Sequence, residues 1–549
     1  MKRIFTLLVI LGFGVSLLGQ TPTVVKDINP DGDAIGYYFE ESITEFDGGL
    51  FFTANDGTFG YELWRTDGTE AGTVLVKDIN EGIEGSGCRK LYPAGDLLFF
   101  LATDEEHGEE LWCTDGTEAE TYLVKDILPG LESGIYADAG LSNDHYVWND
   151  ILYFGADDGT HGYELWRSDG TEAGTFMVKD VAEGSTHSYP RYFVEHGGKL
   201  FFSAGGALWS TDGTEAGTLE VSDKIYPQHT VSGNGYLLCI GSDGFSNYEL
   251  WRSDGTDAGT VVVKEINPDG SSYGCTFPSE EELVKVGDAI YFSANDGTGK
   301  ELWRSDGTEA GTYMVRDASI DEYVGCAKAF AVLDDVLYYS FNDGTNGHEL
   351  WRSDGTETGT YMVRDIIPGS SSGFGYVSSK RIAAIGNRLY FGAGNNSPND
   401  LELWQSDGTE EGTTLVAELY PSITGSGPQS FYRLGNDLIF VAESFGIGYE
   451  LWTMPLPTSV KEPSFSEVDL KLVPSLTDGI FTVVISEKAD AVNPFNVTLI
   501  STTGTPLKMW SDVVSGQELD VYDIPAGMYF VQISDEKGGI GVRTLVVGF

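Results

Sequence analysis

The stretch ELWRSDGTEAGT at residues 164–175 returns letter for letter at residues 301–312. In an extended strand Leu165 and Trp166 point to opposite faces, so both faces of that strand must be covered. Ser168-Asp169-Gly170-Thr171 then follows. Asp bonds its own downstream backbone and Gly tolerates positive φ, which makes this tetrapeptide a hairpin turn. The stretch reads as a strand buried on both sides and ended by a tight turn.

The same tripeptide, ELW or once ALW, recurs with its tryptophan at Trp64, Trp112, Trp166, Trp209, Trp251, Trp303, Trp351, Trp404 and Trp452. A spacing of roughly 40 to 50 residues is that of a propeller blade. Each unit carries a run such as LFFTAND, IYFSAND or LYYSFND, then the ELW run, then VLVKDI or YMVRDI. A less regular run such as RYFVEHG or KRIAAIG comes in front. The runs are short, aromatic or β-branched, bounded by Gly, Asn and Asp, and without helical periodicity. Four antiparallel strands per unit predict an all-β chain, a β-propeller of about nine four-stranded blades over residues 21–455. Eight blades is the alternative, should the irregular unit near residues 205–240 not form a sheet. The last unit, ELWTMPLP at residues 450–457, lacks a following VKDI run, and VVKDI at residues 24–28 is spare. Pairing the two closes the ring and removes open sheet edges.

Composition narrows the function classes. With 12% aromatic residues, 71 Gly and 21% charged residues in 549, the chain is globular. Lys plus Arg number 32 against 85 Asp plus Glu, a net charge of −53. Such a surface repels phosphate backbones and anionic membranes, so no nucleic-acid partner is expected, whereas divalent cations are attracted. Residues 1–20, MKRIFTLLVILGFGVSLLGQ, join a basic start to an apolar run and read as a secretory signal peptide. No later apolar run approaches the ~18 residues of a membrane helix, so an extracellular or outer-cell-surface location without a transmembrane segment is expected. Cys88, Cys113, Cys239, Cys275 and Cys326 are odd in number without a CxxC pair, and read as small buried apolar residues.

Chemistry-bearing motifs are sparse. The histidines (His107, His145, His161, His187, His196, His229, His348) fall at different phases of the repeat, and HExxH, GxSxG and phosphate-loop patterns are missing. Asp-Gly-Thr follows the Trp in eight units, and a residue needed identically eight times fixes turns rather than catalysing one reaction. No catalytic residue and no cofactor is therefore assigned. DINPDGD places Asp27, Asn29, Asp31 and Asp33 at alternate positions, a calcium-loop-like start repeated in part at Glu265, Asn267 and Asp269. A polar turn between blades is the favoured reading, because the closing bidentate Glu of such a loop has no counterpart. SNDHYVWND (142–150) and GAGNNSPND (392–400) read as variable segments between strands, suited to recognition.

These repeats resemble the ELWxxDGT repeat family of secreted bacterial proteins over roughly residues 21–455, with departures at Cys113, Glu120, Ala207 and Gln405. The resemblance implies a propeller-like module and supplies no catalytic residues. After a linker at residues 456–466, residues 467–549 read as a small β-sandwich. VPSLTDG (473–479) and PAGMYFV (525–531) resemble the C-terminal sorting domain of type IX secretion, which implies contact with secretion machinery. The function expected is a secreted or surface β-propeller acting as a binding or adhesion module for carbohydrate or a surface protein. The alternative is an extracellular carbohydrate-active enzyme, a glycosidase or lyase, with its site on the propeller axis.

Overall fold

A computed structural model describes residues 21–36, 42–135, 144–243, 248–268, 283–319, 325–374, 381–395, 397–420 and 425–457, and strands between Leu470 and Val547. The chain divides into two compact units, Met1–Leu456 and Pro457–Phe549. The first holds nine four-stranded antiparallel sheets, the blades of a propeller. In eight of them the strands run in chain order. Their first strands are Ile43–Phe46, Arg89–Ala94, His145–Trp148, Arg191–His196, Tyr226–Ser232, Leu283–Val286, Lys328–Leu333 and Ile382–Ile385. Blade 9 is composite: Gln429–Leu434, Asp437–Ser444 and Gly448–Pro455 are completed by Thr23–Val24 from the N-terminal end. Thr23 pairs with Thr453 and Val24 with Trp452, and the Val25 N–H donates to the Leu451 carbonyl at 2.8 Å. The ring thus closes as the spare VVKDI run suggests, and the unit near residues 205–240 completes blades 4 and 5.

The ELW alternation works as the sequence implies. Leu165 packs in the seam between blades 3 and 4 and Trp166 in the seam between blades 2 and 3, both buried. The DGT turns are closed hydrogen-bond circuits. Asp169 Oδ1 accepts from Thr171 N–H at 2.9 Å and its hydroxyl at 2.7 Å, while Thr171 Oγ1 accepts from Gly174 N–H at 3.0 Å. These donors hold the Asp169 carboxyl below the usual carboxylate range. Glu120, where other units have Gly, does not break the circuit: its N–H still reaches Thr117 Oγ1 at 3.3 Å.

In six of the VKDI-like runs the basic residue, Lys26, Lys77, Lys125, Lys264, Arg316 or Arg364, ties its blade to the next. Lys125 Nζ donates to the Thr175 carbonyl at 2.9 Å and lies 5.9 Å from the Trp166 ring centroid. Lys26 does the same across the closure, to Thr73 O at 2.8 Å and over Trp64 at 5.6 Å. Such cation–π contacts contribute roughly 0.5–1 kcal/mol each at exposed sites.

Two expectations need correction. His145–Trp148 is itself the first strand of blade 3, so SNDHYVWND is not wholly a segment between strands; Asn149 and Asp150 form its turn, at φ 53° and 60°. Cys88, Cys113 and Cys239 are buried and free, but Cys326 is disulfide-bonded, and Cys275 lies outside the described residues. The C-terminal unit carries a three-stranded sheet (Leu470–Val473, Ile480–Ile485, Glu518–Asp520) and a five-stranded one (Leu476–Thr477, Ile540–Val547, Gly527–Ser534, Phe495–Ser501, Pro506–Val513). Gly527 to Val531 of the PAGMYFV element lie on the strand Gly527–Ser534, and Pro525 and Ala526 fall outside the described residues. The signal-peptide reading at residues 1–20 falls outside the described residues.

Candidate functional site

First strands of successive blades touch one another around the axis. Tyr432 Oη donates to the Ile43 carbonyl at 2.9 Å, His196 Nδ1 meets Ser232 Oγ at 2.8 Å, and Lys90 pairs with Asp144 at 3.4 Å. In an antiparallel four-stranded blade, the second-to-third loop and the connection to the next blade emerge at the same end. That end is the axial face where chain variation gathers.

A residue the motif hides organises this face. The Glu of ELW is buried and accepts backbone N–H groups from the connection to the following blade. Glu349 takes Ile366 N–H at 3.0 Å and Gly373 N–H at 2.6 Å, and Glu450 takes Ile28 and Asn29 N–H at 3.0 and 3.2 Å. Glu62, Glu110, Glu164, Glu249, Glu301 and Glu402 repeat the role. Burial pushes Glu349 and Glu450 up to about 8, and Glu62 and Glu110 to about 7. Sequence reading took the tripeptide as core and missed the anchor.

Blade 4 departs from this scheme in three ways at once. Ala207 replaces the anchoring Glu, the second-to-third loop shrinks to Gly205-Gly206, and only residues 223–225 join its last strand, Leu219–Ser222, to blade 5. Gly205 and Gly206 have φ of 57° and 85°, the pair of left-handed residues a two-residue turn requires. Elsewhere the connections are much longer, for example residues 78–88 and 180–190. With the loop gone, the anchor for it is gone as well. The axial face carries less chain at the seam of blades 4 and 5 than at the other seams.

Arg191, Tyr192, Tyr226 and His229 line this low seam. Tyr226 lies against the Gly205-Gly206 turn, where a Cβ on Gly206 would meet its ring at 3.7 Å. The Arg191 guanidinium donates to Tyr226 Oη and sits 5.5 and 5.7 Å from the Tyr192 and Tyr226 rings. Arg191 and Tyr226 are half-buried, whereas Tyr192 and His229 are 5% and 3% exposed. His229 lies 5.4 Å from the Tyr192 ring, and neither ring nitrogen has a hydrogen-bond partner. Burial pushes the imidazole down to about 4, so it is neutral at pH 7. Two buried nitrogens left unpaired are costly and call for an explanation.

Register places these residues in a wider set. Tyr192 and His229 sit at bulges near the starts of their first strands, at φ 56° and 38°, as do Lys90 (58°), Ala329 (51°) and Ser430 (54°). A left-handed non-Gly residue costs roughly 1–2 kcal/mol. In blades 1, 3 and 8 the corresponding positions, just before the strand, hold Ser42, Asp144 and Arg381. All eight are buried. Where the rest of the blade is nearly a copy, this level differs chemically from blade to blade. Asp144 accepts from His145 Nδ1 at 2.8 Å; burial alone would raise its carboxyl, but His145 and Lys90 hold it below the usual range.

The calcium-loop candidates make protein contacts. Asn29 Nδ2 donates to Asp33 O at 3.3 Å, Asn29 Oδ1 accepts from Asp31 N–H at 3.3 Å, and Asp33 Oδ1 accepts from Tyr449 N–H at 3.0 Å. Asp27 lies next to Ile28, whose N–H donates to Glu450. Asp269 lies outside the described residues. Among the described residues, no three His, Cys, Asp or Glu side chains are grouped to hold a metal. The histidines are not all at different phases: His107 and His161 share one place, each with Nδ1 on the Asp three residues earlier, at 2.9 and 2.8 Å.

No protein-family model matches the chain, and no curated protein matches it in sequence. Solved structures similar to it include a puromycin hydrolase mutant (13% identity, 65% of this chain and 58% of that one, TM-score 0.35). A Mycobacterium tuberculosis puromycin-hydrolyzing peptidase matches with 13% identity over 64% and 57% of the two chains, TM-score 0.35. The polysaccharide lyase Uly1 matches with 11% identity over 77% and 92%, TM-score 0.34. The chain thus spans less than two thirds of the length of the first two, and no residue role is taken from any of the three.

Proposed function

We propose that this chain is an exported binding module that takes its ligand on the axial face, at the seam of blades 4 and 5. One observation carries the reading. In a ring of near-identical blades, one blade has shortened its loop and its connection and lost its anchoring Glu together, and the side chains beside the gap are polar and aromatic. A rigid scaffold with local variation at one end is a common design for recognition. Apolar side chains on connections and loops of the same face, Ile83, Leu131, Tyr189 and Phe445, are more than half exposed and add contact surface. Carbohydrate or a surface protein is the partner class.

The enzyme alternative draws on Asp144 holding His145, with Nε2 unpartnered. That imidazole is stacked between Tyr92 and Phe154, at 5.3 and 6.0 Å, and its Asp144 partner also pairs with Lys90 at 3.4 Å, an ion-paired set that holds the first strands of blades 2 and 3 together. Binding is therefore preferred. Export and sorting rest on residues 1–20 and on the C-terminal resemblance, and the Cys326 disulfide suits an oxidising compartment. Intact-mass measurement of surface or medium protein should find neither residues 1–20 nor the part beyond about residue 460. A glycan array run beside a polysaccharide turnover screen tests the function: saturable binding without product supports it. Released sugar abolished by Asp144→Asn would replace it with the enzyme.

A further inference from the structure

Arginines of the repeated strands, such as Arg304 and Arg352, stack on a tyrosine of their own blade, whereas Arg191 stacks between tyrosines of two neighbouring blades and has no described carboxylate partner. Its described hydrogen bond is to Tyr226 Oη, and its Nε is buried without a partner. The two tyrosine rings beside the guanidinium fix its plane and lower its hydration, which prepares a planar fork for a planar anion. Below it, His229 offers two unpartnered ring nitrogens at the floor of the seam, one a donor and one an acceptor in the neutral ring. A hydroxyl group both donates and accepts, and so matches a neutral imidazole. An aliphatic group would match neither the fork nor the imidazole.

We infer that the seam of blades 4 and 5 binds a sugar acid, a pyranose bearing one carboxylate, with the carboxylate on Arg191 and a ring hydroxyl on His229. The inference rests on the binding reading above and narrows it. One carboxylate is specified because the net charge of −53 penalises a polyanion, while of the described cations at the seam Lys224 is already paired with Asp257 at 2.9 Å, which leaves Arg191. Tyr226 Oη keeps the guanidinium oriented, which makes it a positioning residue.

The test is calorimetric titration of the full chain with glucuronic acid and galacturonic acid, with glucose as the neutral control. At least one acid should bind, and glucose at least about 30-fold more weakly. Arg191→Met should weaken acid binding by about 30-fold or more, as expected when one partner of a buried charge pair is removed. Arg191→Lys, which keeps the charge without the fork, should fall between the two. His229→Phe keeps the ring and removes the nitrogens, and should cost about tenfold with the melting temperature held, in line with one lost hydrogen bond. Glucose binding as tightly as the acids, with Arg191→Met unaffected, would overturn the sugar-acid assignment and leave the binding module standing. No binding of any of these sugars, together with a blank glycan array, would overturn both. Should Arg191→Met fail to fold, the comparison of acid with glucose on the unaltered chain still decides.

Discussion

Removing residues 21–29 tests the closure of the ring. The loss includes the Thr23 and Val24 pairings, the Val25 N–H bond to Leu451, and the two N–H bonds from Ile28 and Asn29 to Glu450. At about 1 kcal/mol net for each hydrogen bond, these contribute several kcal/mol. Val25 and Ile28, each 6% exposed, would leave the core at about 1.5–3 kcal/mol apiece. Glu450 would stay buried without its described donors, a further penalty of about 1–3 kcal/mol. The sum is on the order of 8 kcal/mol, comparable with the whole stability of a typical domain. Chains beginning at residue 21 and at residue 30 should be compared by thermal unfolding and by light scattering after size exclusion. The shorter chain should melt about 10 °C or more lower, or associate through the bared edge of Gly448–Pro455. Lys26→Ala, which removes only the clamp to blade 1, should cost about 1 kcal/mol and stay monomeric. Equal melting temperatures with both chains monomeric would refute the closure.

The anchoring Glu side chains give a pH signature. Their folded-state values lie above the unfolded value near 4.5, so between about 4.5 and 8 the folded state holds protons that the unfolded state has released. Their contribution to stability is full below that window and is lost as pH rises through it. Melting temperature should therefore fall from pH 5 to pH 8, and Glu349→Gln should be more damaging at pH 5 than at pH 8. An equal penalty at both would count against a raised carboxyl. In the DGT turns, Gly170→Ala should cost about 1–3 kcal/mol, because Gly170 has φ 90° and a Cβ there would strike Leu97. Gly174→Ala, although its Cβ would fall on the Asp169 carboxylate, should cost under about 1 kcal/mol, because the circuit around Glu120 absorbs a side chain at that place. Denaturant melts of the two variants decide, and the reverse order would show that the Glu120 turn is not a fair guide.

The propeller was legible because its causes are local and repeated. Leu165 beside Trp166 demands two covered faces, and Asp169-Gly170 demands a turn; nine repetitions of the first and eight of the second leave little else for the chain to build. The candidate site was not legible, for a physical reason. Bulges at Lys90, Tyr192, His229, Ala329 and Ser430 insert residues into the first strands, so positions that meet around the axis do not align by counting from the Trp. One signal was nevertheless present. The single unit without the ELW Glu, at Ala207, is also the unit with the shortest link to its successor, residues 223–225. Joint loss of an anchor and of the chain it anchors implies that the Glu holds the connection. A buried carboxylate with no backbone donors left to satisfy would cost about 1–3 kcal/mol, so the two must disappear together. Ala207 therefore marks the place where the face opens, and it points within the sequence to Arg191, Tyr226 and His229 on the first strands of blades 4 and 5.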